Sequence, residues 1–448
     1  MRAIKRDLTE GSLAGGIWHL ALPSIVANTL MDVFNIVDMI FVGRLGPSAI
    51  AAVSIGGIVM GLVRMIAMGI STGTVAMVSR HAGRGDHQTG EEVITQSLFL
   101  SLFFSALIIL IGHVFSEPIL RAMGATEEFL RDAVAYLKIM CYGGITIFLT
   151  MTLSAGLRGF GDAVTPMYAL GLASLLNIGL DPLLIFGLGP FPRLGVPGSA
   201  IATVIARFVG AVYLLSVLLL GKQGIGFGWI RAGIKPEMLW RIAKIGLFSS
   251  LRMLSMNLSR IILVRFVSVY GTLAIAAYGI GMRLRLFVMM PGIGFADAAS
   301  VMVGQNLGAR KPERAERSAW LSVAFYGVFL VMVALVFLFL SRQVIGIFST
   351  DPDMVELGSS FLRLYAFSLL FGSLAIILGR GHDGAGDTFT PMLITGISLI
   401  AIGIPLAWGF SQLWSILGIW IAIVVTEVLQ GSAMAFSFRL GRWKLKKV

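Results

Sequence analysis

Apolar residues run along the chain in long, nearly uninterrupted stretches, and most of its Lys, Arg, Asp and Glu fall in the short segments between them. Stretches long enough to cross a bilayer as a helix, which takes about 20 residues, cover 17–41, 49–79, 95–115, 129–156, 164–188, 197–221, 241–269, 274–304, 318–340, 357–379, 389–410 and 414–438. They are too long and too uniformly apolar for barrel strands. In lipid only helices and closed barrels satisfy every backbone group internally. The pattern therefore predicts an all-α integral membrane protein with twelve transmembrane helices.

The chain also repeats itself. At an offset of 225 residues Gly46 falls on Gly271, Ala49 on Ala274, Met77 on Met302, Gly83 on Gly308 and Pro166 on Pro391. The longest match is Gly-x-Gly-Asp-x-x-Thr-Pro-Met, at 159–167 and again at 384–392. Two six-helix halves follow, with an N-terminal lobe over 1–221, a cytoplasmic linker over 222–240 and a C-terminal lobe over 241–448 that ends in a basic tail. An even number of spans per half gives both halves the same orientation. Parallel repeats of this kind occur in secondary transporters, with substrate sites near the interface of the halves; duplication for stability alone would give the same symmetry. The Gly-x-Gly-Asp segments have no preceding strand and no following Lys, which removes the phosphate-loop reading. They predict tight turns between spans four and five and between ten and eleven, where glycine allows backbone angles closed to other residues.

Composition agrees with a lipid solvent: 57% of residues are hydrophobic and 13% charged, against roughly 25% charged in soluble domains. The net charge of +12 does not imply nucleic acid, because the cations are dispersed between spans and read as topology markers. One side collects Arg2, Lys5, Arg6, Arg80, Arg84, Arg158, Lys222, Arg231, Lys235, Arg310, Lys311, Arg380 and the tail from Arg439 to Lys447. The other has only Arg44, Arg121, Arg131, Arg193 and Arg342, with the acids Glu127, Glu128, Asp351 and Asp353. Cytoplasmic loops retain Lys and Arg, so both termini are expected in the cytoplasm. The first apolar stretch contains Asp32 and Asp38 and shows no small-residue cleavage pattern, so it is expected to stay as the first span. Cys141, the single cysteine, excludes a disulfide framework.

Ionisable residues within a span are costly and mark function by default. Those that are acidic here are Asp32, Asp38, Asp181, Asp297 and Glu427. On span one Asn28, Asp32, Asn35 and Asp38 recur every three or four residues, a stripe on one helical face. Span five carries Ser174, Asn177 and Asp181, and span six Thr203. Two carboxylates, an amide and a hydroxyl supply the oxygen ligands of a hard cation such as Na+, and the same carboxylates could instead hold protons. The alternative for Asp38 is an ion pair with Arg207 or Arg64, and for Asp32 and Asn35 a hydrogen-bonded packing role. In the second half, Arg260 and Arg265 favour an anionic cargo or headgroup if they face a cavity; otherwise they pair with Asp297 or helix-end carbonyls. Pro23 removes a helical hydrogen bond from span one and permits a bend there.

Several motifs together resemble the multidrug and toxic compound extrusion (MATE) family, close to its DinF-like prokaryotic branch. They are Leu-Ala-Leu-Pro at 20–23, Asn-Ile-Val-Asp at 35–38 followed by Val-Gly-Arg-Leu-Gly at 42–46, Leu-Arg-Gly-x-Gly-Asp at 157–162, Asn-x-x-x-Asp-Pro at 177–182 and Gly-Ser-Ala-x-Ala-Thr at 198–203. The resemblance covers essentially the whole chain. It implies two six-helix pseudo-symmetric lobes around a central V-shaped cavity, alternating access, and export driven by inward flow of protons or Na+. The family's N-lobe cation site maps onto Asp38, Asn177, Asp181 and Thr203, and its hinge proline onto Pro23. Two departures matter. The acids that other branches carry on spans seven and ten are absent, which concentrates coupling in the N-lobe. Arg207 stands where an apolar residue is expected, which speaks against tight Na+ binding.

The expected function is a secondary active exporter of drugs or metabolites, an antiporter whose cargo is a small amphipathic organic cation. The alternative is an exporter or flippase of anionic or lipid-linked substrates that uses the C-lobe arginines, with Asp32, Asn35, Arg207, Arg260, Arg265 and Asp297 as secondary or substrate-binding candidates. No cofactor is expected beyond a coupling H+ or Na+, and no nucleic-acid partner. The chain is expected to act as a monomer in the cytoplasmic membrane of a prokaryote. An enzyme is not expected, because His19, His81, His87, His113 and His382 are scattered without metal-ligand spacing.

Overall fold

A computed structural model describes residues 7–220 and 233–446. Arg2, Lys5, Arg6, Lys222, Arg231 and Lys447 lie outside the described residues, as does most of the expected linker; α8 already begins at Pro236.

Helices make up nearly all of the described chain, and no strand occurs among the described residues. The first six spans are α1 (Leu13–Gly43), α2 (Pro47–Gly83), α3 (His87–Ala122), the pair α4 (Glu127–Tyr142) and α5 (Gly144–Gly159), α6 (Val164–Phe186) and α7 (Val196–Leu219). The second six begin with α8 (Pro236–Ser268), α9 (Thr272–Gly308) and α10 (Pro312–Phe339), which is followed by the short α11 (Ser341–Gly346). The tenth span is the pair α12 (Pro352–Ala366) and α13 (Leu369–Gly384). Spans eleven and twelve form one run, from α14 (Phe389–Gly396) through a π-helical turn (Ile397–Gly403) into α15 (Ile404–Leu440). That run breaks at Trp414 and Ser415, whose backbone angles are not helical. With each bent pair taken as one crossing and the last run split at this break, the twelve expected spans are all present. Most helices overrun their apolar stretches because polar end turns extend the same hydrogen-bond ladder past the lipid.

The repeat is written into the backbone. Gly46 and Gly271, just ahead of α2 and α9, have φ/ψ of 113°/175° and 90°/179°, a region essentially reserved for glycine. Spans four and ten bend by 42° and 55°, at Gly143 and at Phe367–Ser368, and Gly143 falls on Ser368 at the repeat offset. Gly161 and Gly386, inside the two Gly-x-Gly-Asp turns, have φ of 93° and 84°, so both segments are the tight turns expected.

The chain divides into two compact units, Leu22–Leu247 and Leu8–Ala21 with Phe248–Val448. The division within α1 falls beside Pro23. In the first unit α2 packs on α3, α4 and α5, and α6 pairs with α7. In the second, α9 packs on α10, α12 and α13, and α13 on α15. The two equivalent aspartates of the glycine turns do different work. Asp162 accepts the backbone N–H groups of Val164 and Thr165 at 3.0 and 2.9 Å, starting α6. Asp387 instead lies 3.3 Å from His382 and 3.3 Å from Lys446. Burial pushes the Asp387 carboxyl up, but hydrogen bonds from His382 and Thr390 and the nearby Lys446 charge hold it at about 2. The end of the chain is anchored beside it, where Trp443 stacks on Phe438 at 4.5 Å and donates its indole N–H to the Phe438 carbonyl at 2.7 Å.

The glycine conformation yields a direct test. A Cβ at Gly271 would meet nothing within 4 Å, so Gly271→Ala strains the backbone without a clash. It is expected to lose about 1–3 kcal/mol of stability, read as a lower Tm in detergent; an unchanged Tm would contradict the backbone assignment.

Candidate functional site

The polar group expected on the N-terminal spans is assembled within the first unit. Asn177 and Asp181 lie one turn apart on α6, and Ser199 and Thr203 one turn apart on α7. These helices approach closely because residue 198 is glycine: a Cβ there would sit 2.5 Å from the Leu184 carbonyl oxygen. The chain between them closes with backbone bonds from Leu194 to Leu184 and from Gly195 to Ile185, at 3.0 and 3.1 Å. Asp38 comes in from α1.

Asp38 accepts the Ser199 hydroxyl at 2.8 Å and stands within interaction range of the Asp181 carboxyl. With its amide turned to satisfy both ends, Asn177 donates to Asp181 Oδ2 at 2.8 Å and accepts from the Thr203 N–H and hydroxyl at 3.1 and 3.3 Å. Asn177 and Asp181 are buried. Asp181 Oδ1 and Ser174 Oγ are buried without a hydrogen-bond partner among the described residues, leaving room in the bonding pattern for a proton, a water or an ion. Two carboxyls in contact cannot both stay charged in a low-dielectric surrounding without a proton or cation between them. In this orientation the Asn177 carbonyl oxygen is engaged by Thr203. Among the described residues no group of three or more His, Cys, Asp or Glu is placed to hold a metal.

Of the secondary candidates, Arg207 lies one turn beyond Thr203 within electrostatic range of Asp38, Tyr136 and Arg64. Among the described residues neither it nor Arg64 makes an ion pair with Asp38. Asp32 lies within electrostatic range of Asn35 and Arg64, and among the described residues no hydrogen bond joins Asp32 or Asn35 to the Asp38 group. Sequence reasoning missed Ser199 and Tyr136. Ser199 carried a usable signal, since it stands one helical turn before Thr203; Tyr136, on another helix, carried none.

Several charges of the second unit pair with one another. Asp297 on α9 meets Arg380 at 2.5 Å, and Arg380 lies 3.6 Å from Asp383. Asp383 takes two hydrogen bonds from Arg252, at 3.1 and 2.5 Å. Asp297 therefore does not neutralise Arg260 or Arg265, both of which are exposed. Glu427 on α15 pairs with Arg285 on α9 at 2.6 Å. Neither partner could be assigned from spacing, because the two lie on helices far apart in sequence.

Comparison with known proteins agrees with this architecture. The MatE family model matches residues 23–183 and 249–408, two stretches set close to the 225-residue offset of the repeat. The chain is 30% identical to "Probable multidrug resistance protein YoeA" of Bacillus subtilis, over 98% of this chain and 97% of that one. It is 27% identical to the "FAD transporter" of Shewanella oneidensis, over 96% and 95%. Among solved structures, an outward-facing multidrug resistance MATE family transporter superposes with a TM-score of 0.90 at 25% identity, covering 100% of both chains. From two matched copies of the family model and full-length likeness on both counts, the chain belongs to the MatE family and is a multi-pass membrane transporter of small molecules, not an enzyme.

Proposed function

We propose that the chain exports small amphipathic organic cations as a proton-driven antiporter, with Asp38 and Asp181 as the proton-carrying pair. The contact between those two carboxyls supports this reading most. Two carboxyls held near each other in a low-dielectric site repel unless a proton or cation lies between them, so release and uptake of a proton would rearrange the pair. Asn177, Ser199 and Thr203 position the pair, and Pro23 is the bending point of the helix that carries Asp38. The protein works as a monomer with both termini in the cytoplasm and uses no cofactor besides the coupling ion. Relatives named for multidrug resistance and multidrug export support a small-molecule cargo.

A second reading takes anionic or lipid-linked cargo. Its support is the exposure of Arg260 and Arg265 without an ion-pair partner among the described residues, and the relative named for FAD transport. Parallel loading of the same liposomes with ethidium and with FAD separates the two.

In proteoliposomes, wild-type protein is expected to move ethidium under an imposed proton gradient and not under a Na+ gradient alone. Asp38→Asn and Asp181→Asn are each expected to reduce the flux to that of empty liposomes. Flux driven by Na+ alone, or full activity in Asp38→Asn, would refute the assignment.

Ser199→Ala removes the hydroxyl that holds Asp38 Oδ1. A hydrogen bond to a charged group is worth roughly 1.5–3 kcal/mol, so proton-driven ethidium flux is expected to fall by at least about tenfold. Ser199→Thr, which keeps the donor, is expected to retain most of it; equal losses in both variants would mean that the site responds to volume and not to the hydrogen bond.

A further inference from the structure

The second unit contains a charged centre to which the coupling scheme gives no role. Arg285 and Glu427 meet at 2.6 Å with side-chain exposures of 22% and 5%, so the arginine is the member that can be reached and the glutamate lies behind it. The guanidinium also lies over the Tyr365 ring, 5.5 Å from its centroid. Tyr365 stacks on Phe361 at 5.6 Å, Phe361 meets Trp420 edge-on at 4.9 Å, and Trp420 stacks on Tyr278 at 5.8 Å. In this aromatic cluster the Tyr365 hydroxyl and the Trp420 indole N–H are buried donors without a hydrogen-bond partner among the described residues.

The other carboxylate oxygen of Glu427 accepts the Ser368 hydroxyl at 2.8 Å. The same hydroxyl also lies 3.0 Å from the Tyr365 carbonyl oxygen. Ser368 has one proton for two acceptors. With Glu427 ionised, that proton goes to the carboxylate and the carbonyl goes without; with Glu427 protonated, the carboxyl donates to Ser368 and Ser368 to the carbonyl. The geometry therefore accommodates both protonation states, and it does so at the bend of the tenth span. The titratable or charged groups within range of Glu427 are Arg285 and Tyr278 on α9, Tyr326 on α10 and Tyr365 on α12, with Arg260 reaching Tyr278 from α8. No second carboxylate faces it in this set, so Glu427 is the carboxyl there that an incoming anion would displace from Arg285.

The repeat shows that this centre is particular to one half. At the 225-residue offset Arg285 falls on Met60 and Ser368 on Gly143. In the last span of each half, Gly198 and Gly418 press in the same way on the backbone of the preceding helix, and the register that superposes them puts Glu427 on Arg207. Where the first unit has Arg207 near Arg64, the second has a neutral Arg–Glu pair that a single proton would leave with an unmatched positive charge.

We propose that Arg285 is an anion-binding site for a sulfonate, carboxylate or phosphate group, occupied at rest by Glu427 as an internal counter-ion and opened when Glu427 takes a proton from water. The balance is one proton onto Glu427, one ion pair broken and one external anion onto Arg285, with no net change of charge at the centre. This site is separate from the Asp38–Asp181 pair and is tested without any gradient, so failure of either leaves the other standing.

The test is equilibrium binding of pyrenetetrasulfonate, whose charge is constant across the range used, to the full-length protein in detergent between pH 5 and pH 8. Wild type is expected to bind about tenfold more tightly for each unit of pH lowered and to take up about one proton per anion, measured by calorimetry in buffers of different ionisation enthalpy. Glu427→Gln is expected to bind at every pH as tightly as wild type does in acid, and Arg285→Gln to bind at none. Removing one partner of a buried pair can prevent folding, and in that case the proton uptake of the wild type decides alone. Absence of binding at pH 5, binding without proton uptake, or undiminished binding by folded Arg285→Gln would overturn the proposal.

Discussion

A charge in hydrocarbon has no water to solvate it, so the groups that neutralise it are fixed by the protein or supplied by its ligands. This constraint sorts the in-span acids of the chain, Asp32 apart, into two kinds. Asp297, Asp383 and Glu427 each meet an arginine. Asp38 and Asp181 meet each other, with hydroxyl and amide donors around them and Arg207 held off at a distance. An acid that faces an arginine is neutralised by the fold. An acid that faces another acid needs a species that the fold does not contain, and that dependence is the ground on which a coupling role is proposed for the pair.

The two halves share a backbone and differ in chemistry. Gly46 and Gly271, the bends at Gly143 and Ser368, and the positive φ angles of Gly161 and Gly386 keep the same places because each is a geometric requirement of chain path. Side chains are freer. At the repeat offset Asp38 falls on Leu263, and Asn177 and Asp181 fall in the apolar run that holds the π-helical turn, which the fifth span lacks. Conversely, the Gly143 position became Ser368 and acquired a hydroxyl beside Glu427. A duplicated scaffold can therefore carry two unlike polar centres without altering the helices that hold them.

Much of this was legible in the sequence, for a physical reason in each case. Length and apolarity mark a span regardless of what it packs against, so all twelve crossings could be read, including the break near Trp414. Helical spacing put Asn177 one turn from Asp181, and the apolar background made both conspicuous. Ser199 was overlooked because a serine in a span bonds its own helix at little cost, and only the third dimension shows Asp38 opposite it. The pairs Arg285–Glu427 and Asp297–Arg380 join helices distant in sequence, where periodicity carries no information. The bend at Ser368 was equally hidden, since no proline lies there and the apolar run continues across it.

The placement of Asp38 gives the coupling reading its mechanical sense. Residues Leu13–Ala21 of α1 belong with the second unit and the remainder with the first, and Pro23 lies at that division. Proline has no N–H for the carbonyl four residues before it, so the helix is least stiff where its allegiance changes. Beyond that point, the Ser199–Asp38 bond and the Asp38–Asp181 contact tie α1 to α7 and α6. The first of these is a hydrogen bond to the Asp38 carboxyl, and the second brings two acids together with no cation of the fold between them. On the proposed proton coupling, gain or loss of a proton would change how firmly the far part of α1 is held, while its beginning answers to a different set of contacts. A helix with one end fastened by titratable groups and a proline between its two attachments converts a local change of charge into a change of direction.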